Sequence, residues 1–115
     1  MKIEDYQFGR IQIDGETYTS DVLVWPGNVD DSWWRKEGHN LCLEDLKGLL
    51  DKDLDVLVIG RGANGVMQVP DQTVEQVKKS CPEVHVAKTA KACEKYNELV
   101  DRPDTRVGAA LHLTC

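Results

Sequence analysis

The chain has 115 residues, which is enough for one hydrophobic core and too few for both halves of a dinucleotide-binding fold. Its 14 basic residues are scattered and are outnumbered by 20 acidic ones, so the net charge of −6 argues against a nucleic acid partner. No apolar run approaches the roughly 18 residues of a membrane span, and residues 1–5 lack the apolar region of a secretory signal. We therefore predict a single cytoplasmic domain over residues 1–115.

The N-terminal part of the chain predicts a β hairpin. Apolar and polar residues alternate between Tyr6 and Trp25, and Asp14-Gly15 supplies a two-residue turn between the two strands. A turn-rich loop follows at residues 26–32. The segment from Trp33 to His39 has neither a strand period nor a helix period, so we expect it to be irregular.

A short helix and a buried strand follow the irregular segment. Leucines at helical spacing between Leu43 and Leu50 predict the helix, with Asn40 or Cys42 as its N-cap. The stretch from Val56 to Ile59 is apolar without alternation. Both faces of such a strand are buried, as in the centre of a parallel sheet with helices on either side.

Helices and strands continue to alternate along the rest of the chain. Pro70-Asp71 opens a second helix, Val84 to Val86 forms a strand, Thr89 caps a third helix, and Val107 to Leu111 forms the last strand. The residues expected on the core faces of these two helices are Val74, Val77, Ala92, Cys93, Tyr96, Leu99 and Val100. This order predicts an α/β sandwich with a mostly parallel central sheet.

The glycine-rich loop Gly60-Arg61-Gly62-Ala63-Asn64-Gly65 matches the G-x-G-x-x-G pattern of dinucleotide-binding folds. Its context argues against a nucleotide, because Pro70 interrupts any helix beginning at Gly65 and no acid lies roughly 20 residues beyond the first glycine. We expect residues 65–69 to be extended or irregular, and the next helix to begin at or after Pro70. Lys88 or Thr89 should lie at the tip of the following strand. No cofactor is predicted.

Two interpretations of this loop remain open. Gly60, Arg61 and Gly62 follow a parallel strand, where backbone amides and the Arg61 guanidinium could bind a phosphate or a carboxylate. His39 could then act as an acid or a base. Alternatively, the glycines only permit positive φ angles in a tight turn, and Arg61 points into solvent.

Trp33, Trp34 and Arg35, with His39, form the segment that is richest in aromatic and cationic groups. Tryptophan and arginine are typical anchors of protein interfaces, so Trp33, Trp34 and Arg35 are candidate partner-binding residues. The segment could instead be a pocket wall over the glycine loop, or a loop held on the sheet by its indoles.

No group of residues predicts catalysis or a bound metal. The cysteines at 42, 81, 93 and 115 form no C-x-x-C pair, so we expect reduced thiols packed as small apolar groups. His112 and Cys115 would project to opposite faces if the last strand continued, which argues against a nucleophile and base pair. His85 lies between valines, and we expect it to have a structural, hydrogen-bonded role.

Short motifs spread over nearly the whole chain resemble one family. They are Phe8-Gly9, Val24-Trp25-Pro26-Gly27, Trp34-Arg35, Gly38-His39, Val58-Ile59-Gly60-Arg61-Gly62, Val69-Pro70, Tyr96-Asn97-Glu98-Leu99, Arg106-Val107-Gly108 and His112-Leu113-Thr114-Cys115. The family is the small α/β domain family that includes the human adipogenesis-associated protein and, more distantly, a mitochondrial respiratory complex I assembly factor. The resemblance implies a three-layer α/β domain with a mixed, mostly parallel central sheet flanked by helices and an N-terminal β hairpin. It also implies assembly or regulation rather than catalysis.

Two functional hypotheses follow. The first is a non-enzymatic protein-binding, assembly or regulatory module that contacts an unidentified protein through Trp33, Trp34 and Arg35. The second is a small-anion-binding protein or minor enzyme that uses the Gly60–Gly65 loop with Arg61 and His39.

Overall fold

Eight strands form two sheets in the computed structural model, which describes all residues from 1 to 115. The strands are β1 Ile3–Gln7, β2 Arg10–Ile13, β3 Glu16–Tyr18, β4 Val22–Trp25, β5 Asn28–Asp30, β6 Val56–Arg61, β7 Glu83–Ala87 and β8 Val107–His112. The helices are α1 Lys47–Leu50, which a 3-10 turn at Leu43–Leu46 precedes, α2 Asp71–Lys78 and α3 Thr89–Leu99.

The central sheet has five strands in the order β5-β4-β8-β6-β7. β6 pairs in parallel with β7 and with β8, whereas β4 pairs antiparallel with β8 and with β5. It follows that β5, β6, β7 and β8 run in one direction and β4 runs in the other. The prediction of a mixed, mostly parallel central sheet is confirmed.

The predicted N-terminal hairpin is present but shorter than expected. Asp14-Gly15 joins β2 to β3, and both turn residues have positive φ angles, 50° and 82°. The second strand of this hairpin ends at Tyr18. Residues 22–25 were wrongly assigned to it, because they form β4 of the central sheet, where Val22, Leu23 and Val24 are all buried. A further tight turn at Phe8-Gly9 joins β1 to β2 and completes a three-stranded antiparallel sheet.

The two faces of the central sheet bury separate apolar cores, which confirms three layers. One core packs β4, β6 and β8 against α3 and the small sheet, with Tyr96 and Leu99 fully buried. The other packs the opposite face against Trp33, α1 and α2. Alternation along each strand assigns neighbouring residues to the two cores, which is why β6 is apolar throughout.

The structure confirms the predicted starts of two helices and contradicts the predicted cap of the third. α2 begins at Asp71 directly after Pro70, residues 65–69 are irregular, and Lys88 follows β7, all as predicted. The 3-10 turn before α1 is capped at Cys42, whose backbone N–H donates to the Asp45 carboxylate at 3.0 Å. Thr89 was wrongly predicted to cap α3. Its buried hydroxyl accepts from the Gly62 N–H at 2.8 Å and donates to the His112 carbonyl at 2.6 Å.

Candidate functional site

Asp21, Arg35 and His112 form a buried polar cluster at the end of β8. The antiparallel register of β4 and β8 pairs Val22 with Leu111, so Asp21, one residue earlier, lies beside His112. On the other side of β8, His112 pairs with Arg61 of β6. Paired residues project to the same face of a sheet, so these side chains lie on the face that Trp33 covers.

The Asp21 carboxylate binds the other members of this cluster. Its Oδ2 lies 2.7 Å from Arg35 Nη1 and 2.8 Å from His112 Nδ1, and its Oδ1 accepts from the Leu113 N–H at 2.8 Å. Burial acts to raise the pKa of Asp21. The hydrogen bonds from His112, Leu113 and Arg35 outweigh it and lower that pKa from 3.8 to about 2. Asp21 is therefore a carboxylate at neutral pH.

An ionised Asp21 determines the tautomer of His112. Nδ1 must carry the hydrogen that it donates to Asp21, so the 3.1 Å contact between Arg35 Nη2 and this nitrogen is not a hydrogen bond. Arg35 Nη2 instead donates to the Gly38 carbonyl at 3.3 Å. Two buried atoms, Arg35 Nε and His112 Nε2, have no hydrogen-bond partner. The exposed His39 ring contacts the His112 ring edge to face, with 6.3 Å between centroids.

A histidine oriented by a carboxylate, with its other nitrogen free, has the arrangement of a general base. None of the four surface cavities is lined by His112, Arg35 or His39, however. The hydrogen bonds of Asp21 to Arg35, His112 and Leu113 hold the start of β4, the end of β8 and the loop after Trp33 together. The side chains of the cluster present no open substrate pocket.

The glycine-rich loop binds residues 114 and 115. Ala63 N–H donates to the Thr114 carbonyl at 2.8 Å, and the N–H groups of Asn64 and Val66 converge on the Cys115 carbonyl at 3.2 and 3.0 Å. Gly62 has a φ of +98°, and a Cβ there would overlap the Cys115 carbonyl carbon. The glycine at this position permits the close approach of residues 114–115 to the loop.

Arg61 is half-buried and bonds to its own loop. Its Nε donates to the Met67 carbonyl at 3.0 Å, and its Nη2 donates to the Gly65 carbonyl at 2.9 Å. The His39 carbonyl accepts from the Gln68 N–H at 2.7 Å, so His39 and Arg61 contact the same 65–68 segment. The structure brings both candidate residues to one end of the sheet, where no cavity joins them.

The tryptophan-rich segment divides into buried and exposed residues. Trp33 is only 8% exposed, and its Nε1 donates to the Asp45 carbonyl at 2.8 Å. The Arg35 guanidinium lies 4.7 Å from the Trp33 ring centroid and is buried with Asp21. Trp34 is 76% exposed. Trp34 is thus the only one of the three candidate partner-binding residues with a side chain largely at the surface.

The remaining histidine and the cysteines have structural environments. His85 Nε2 lies 2.6 Å from the Glu83 carboxylate, which agrees with the predicted hydrogen-bonded role. All four cysteines are free, and burial raises the pKa of Cys93 to about 12. No three His, Cys, Asp or Glu side chains are grouped so that they could hold a metal ion. No helix has the length and apolar composition needed to cross a membrane.

Sequence reasoning missed Asp21 and considered His112 only beside Cys115. The signal for Asp21 was a single acid directly before the apolar run Val22-Leu23-Val24, which local patterns assign to a turn. Its partner His112 lies 91 positions away. Only the strand order of the central sheet brings the two together.

Solved structures of similar size share this fold. The conserved hypothetical protein PH1505 from Pyrococcus horikoshii OT3 is 29% identical over the whole of both chains, with a TM-score of 0.82. The protein MT938 is 28% identical over 99% of this chain and 98% of its own, with a TM-score of 0.81. A Mth938-like domain from Bordetella pertussis shares the fold at 19% identity and a TM-score of 0.68, over 97% of this chain and 85% of its own. The family model for proteins of unknown function DUF498/DUF598 matches residues 3–112, and the chain belongs to that family.

Proposed function

We propose that this domain is a non-enzymatic protein-binding module that assists the assembly or regulation of a partner through the surface around Trp34. The observation that carries the proposal is a 76% exposed tryptophan between two buried neighbours. An exposed indole in a fixed position contributes a large contact area with little loss of conformational entropy on binding.

The backbone of Trp34 is held on both sides. The Trp33 N–H donates to the Asp21 carbonyl at 3.4 Å, and its indole is fixed by Asp45. On the other side, Arg35 is held by Asp21, and the Lys36 N–H donates to the Asp45 carboxylate at 3.0 Å. Trp34 therefore projects from a rigid segment, which lowers the entropic cost of binding.

Two further exposed apolar side chains, Phe8 and Val66, belong to segments that bond to the same end of β8. The N–H of Gly9, next to Phe8, donates to the Leu113 carbonyl at 2.9 Å, and the Val66 N–H donates to Cys115. We call Phe8, Trp34 and Val66, with the partly exposed Thr114 and Cys115, the apical surface. Exposed apolar patches are typical of protein-binding surfaces, and these side chains belong to segments that meet around residues 112–115.

The contacts of the glycine loop favour a protein partner over an anion. The amides that would bind an anion already donate to residues 114 and 115, and two Arg61 nitrogens donate to loop carbonyls. The assembly or regulatory role rests on the resemblance to the family of the adipogenesis-associated protein and the complex I assembly factor, and is an analogy at the level of the fold.

The test is a comparison of single variants in affinity capture from the native cell. Trp34→Ala should lose the captured partner and keep the wild-type circular dichroism spectrum, because the side chain is exposed. Lys36→Ala, two residues away and similarly exposed, is the matched control and should retain the partner. Arg35 is unsuitable for this test because it is buried. Equal recovery by Trp34→Ala and Lys36→Ala would refute the proposal.

A second candidate function is the binding of a small anion beneath His39. The observation that favours it is the buried Arg35 Nε–H, a donor without a partner in the cluster whose His112 ring contacts the exposed His39 ring. In this case a phosphate, nucleotide or carboxylate at 100 times its dissociation constant should add about 2.7 kcal/mol to stability, or several degrees in Tm. His39→Ala should remove the shift. No shift with any compound of the panel would refute this candidate.

A further inference from the structure

The strand β7 forms an open edge of the central sheet. It pairs only with β6, and no strand lies on its other side. Val86, in this strand, is 38% exposed. Between β7 and α3 lies a groove of about 350 Å³ with an apolar floor that includes Val58, Ala87 and Ala92. An edge of this kind can accept another strand through main-chain hydrogen bonds.

The charges of α3 along this groove have a particular order. Lys91, Glu94, Lys95 and Glu98 all line it. Within the chain they form weak surface pairs, Lys91 with Glu94 at 3.3 Å and Lys95 with Glu98 at 3.8 Å. Read in the opposite direction, the order Lys-Glu-Lys-Glu becomes Glu-Lys-Glu-Lys. A copy of the helix running antiparallel would therefore present a glutamate to every lysine and a lysine to every glutamate.

The centre of this charge pattern and the centre of β7 lie at the same position along the direction of the strand. From His85 the strand rises about 7 Å to Ala87. From Thr89 the helix returns about 8 Å to the midpoint between Glu94 and Lys95. His85, Glu94 and Lys95 accordingly line the same groove. One two-fold axis can pass through both centres, as a symmetric dimer requires.

We propose that β7 is a self-association edge, at which a second copy of this chain pairs its own β7 antiparallel and extends the sheet from five strands to ten. With His85 on the axis, Val86 of each copy faces Val84 of the other, which covers the exposed valine with a β-branched partner. The two α3 helices then lie antiparallel on the same face of the sheet.

The spacing of the helices suits their charged side chains. α3 packs mainly on β6, which is one strand in from the edge. Two β6 strands in the dimer are separated by three strand spacings, about 14 Å. Lysine and glutamate side chains reaching from both helices can bridge this distance above the groove. This surface is distinct from the apical surface, so self-association goes beyond the proposed function.

The experiment is sedimentation equilibrium of the full chain between about 10 μM and 1 mM, a range that brackets the affinity expected of a small interface. The wild type should show a reversible dimer. Val86→Lys places a charge against Val84 of the other copy, and Lys95→Glu places a second carboxylate against Glu94. Each should weaken association by about tenfold or more. Lys79→Glu, an equal charge change on the α2 side, should leave the dimer unchanged.

Exchange of the charges at positions 94 and 95 provides the decisive test of the dimer. Glu94→Lys alone should also weaken the dimer, whereas the double variant with Glu94→Lys and Lys95→Glu should restore it. An equimolar mixture of the two single variants should form a heterodimer. Circular dichroism checks that every variant is folded. A chain that stays monomeric at about 1 mM, a dimer indifferent to both Val86→Lys and Lys95→Glu, or a monomer that binds extended peptides at β7 would each overturn the proposal.

Discussion

Replacement of Asp21 by asparagine should destabilise the domain in a pH-dependent way. The carboxylate accepts hydrogen bonds from Arg35, His112 and Leu113, and its pKa falls from 3.8 to about 2 on folding. Its side chain is only 17% exposed, so solvent screens these interactions weakly. At 1.36 kcal/mol per pKa unit, this difference corresponds to about 2 kcal/mol of folding free energy.

The lowered pKa of Asp21 sets the pH range over which its carboxylate stabilises the folded state. Because the folded state favours the charged form, the stabilisation is complete above the unfolded pKa near 3.8 and disappears as the pH falls towards 2. Urea unfolding should therefore show Asp21→Asn to be less stable than wild type by about 2 kcal/mol or more at pH 7, because Arg35 also loses its charged partner. The difference in unfolding free energy between Asp21→Asn and wild type should become smaller below about pH 4. A difference under about 0.5 kcal/mol at pH 7, or one that does not change between pH 7 and pH 2.5, would refute this account of the cluster.

Three further predictions concern the glycine loop and the core. Gly62→Ala should lower the free energy of unfolding by about 2 kcal/mol or more, because its Cβ meets the Cys115 carbonyl. Gly27→Ala, at a positive φ with open space around it, should cost only about 1 kcal/mol, and equal effects in urea titrations would contradict the close approach of residues 114–115 to the loop. Cys93 should resist thiol reagents at pH 8 until the protein unfolds, since burial raises its pKa to about 12, and rapid labelling of native Cys93 would show the core to be open. Titration with NAD or NADP should show no micromolar binding, because the loop amides already donate to residues 114 and 115. Saturable binding of either would restore the nucleotide interpretation.

Local sequence patterns were enough to predict the helices and strands of the second half of the chain. The unbroken apolar run of β6 predicted a strand buried on both faces, and Pro70 predicted both the irregular segment before it and the start of α2. Each depends on residues close together in sequence. The extent of the hairpin was not predictable in this way. β3 and β4 are each only a few residues long, and local patterns therefore did not separate them. Their separation depends on the pairing of β4 with β8.

The candidate site depends on contacts that sequence periodicity does not encode. Trp33 and Trp34 are adjacent and chemically identical, but Asp45 accepts a hydrogen bond from one indole and the other is exposed. Arg35 pairs with Asp21, and Arg61 with carbonyls of its own loop, so neither guanidinium is free as the sequence alone suggested. These outcomes follow from the long-range packing of an irregular segment on a sheet.

The position of β8 has a consequence for the synthesis of this protein. β8 follows all the other strands in sequence but is central in the sheet, where it pairs with β4 on one side and β6 on the other. While residues 107–112 remain inside the ribosome, the nascent chain exposes two unpaired strand edges flanked by apolar residues. The main sheet can be completed only after those residues have emerged. Slow translation or truncation near residue 106 should therefore leave an aggregation-prone intermediate that needs chaperones.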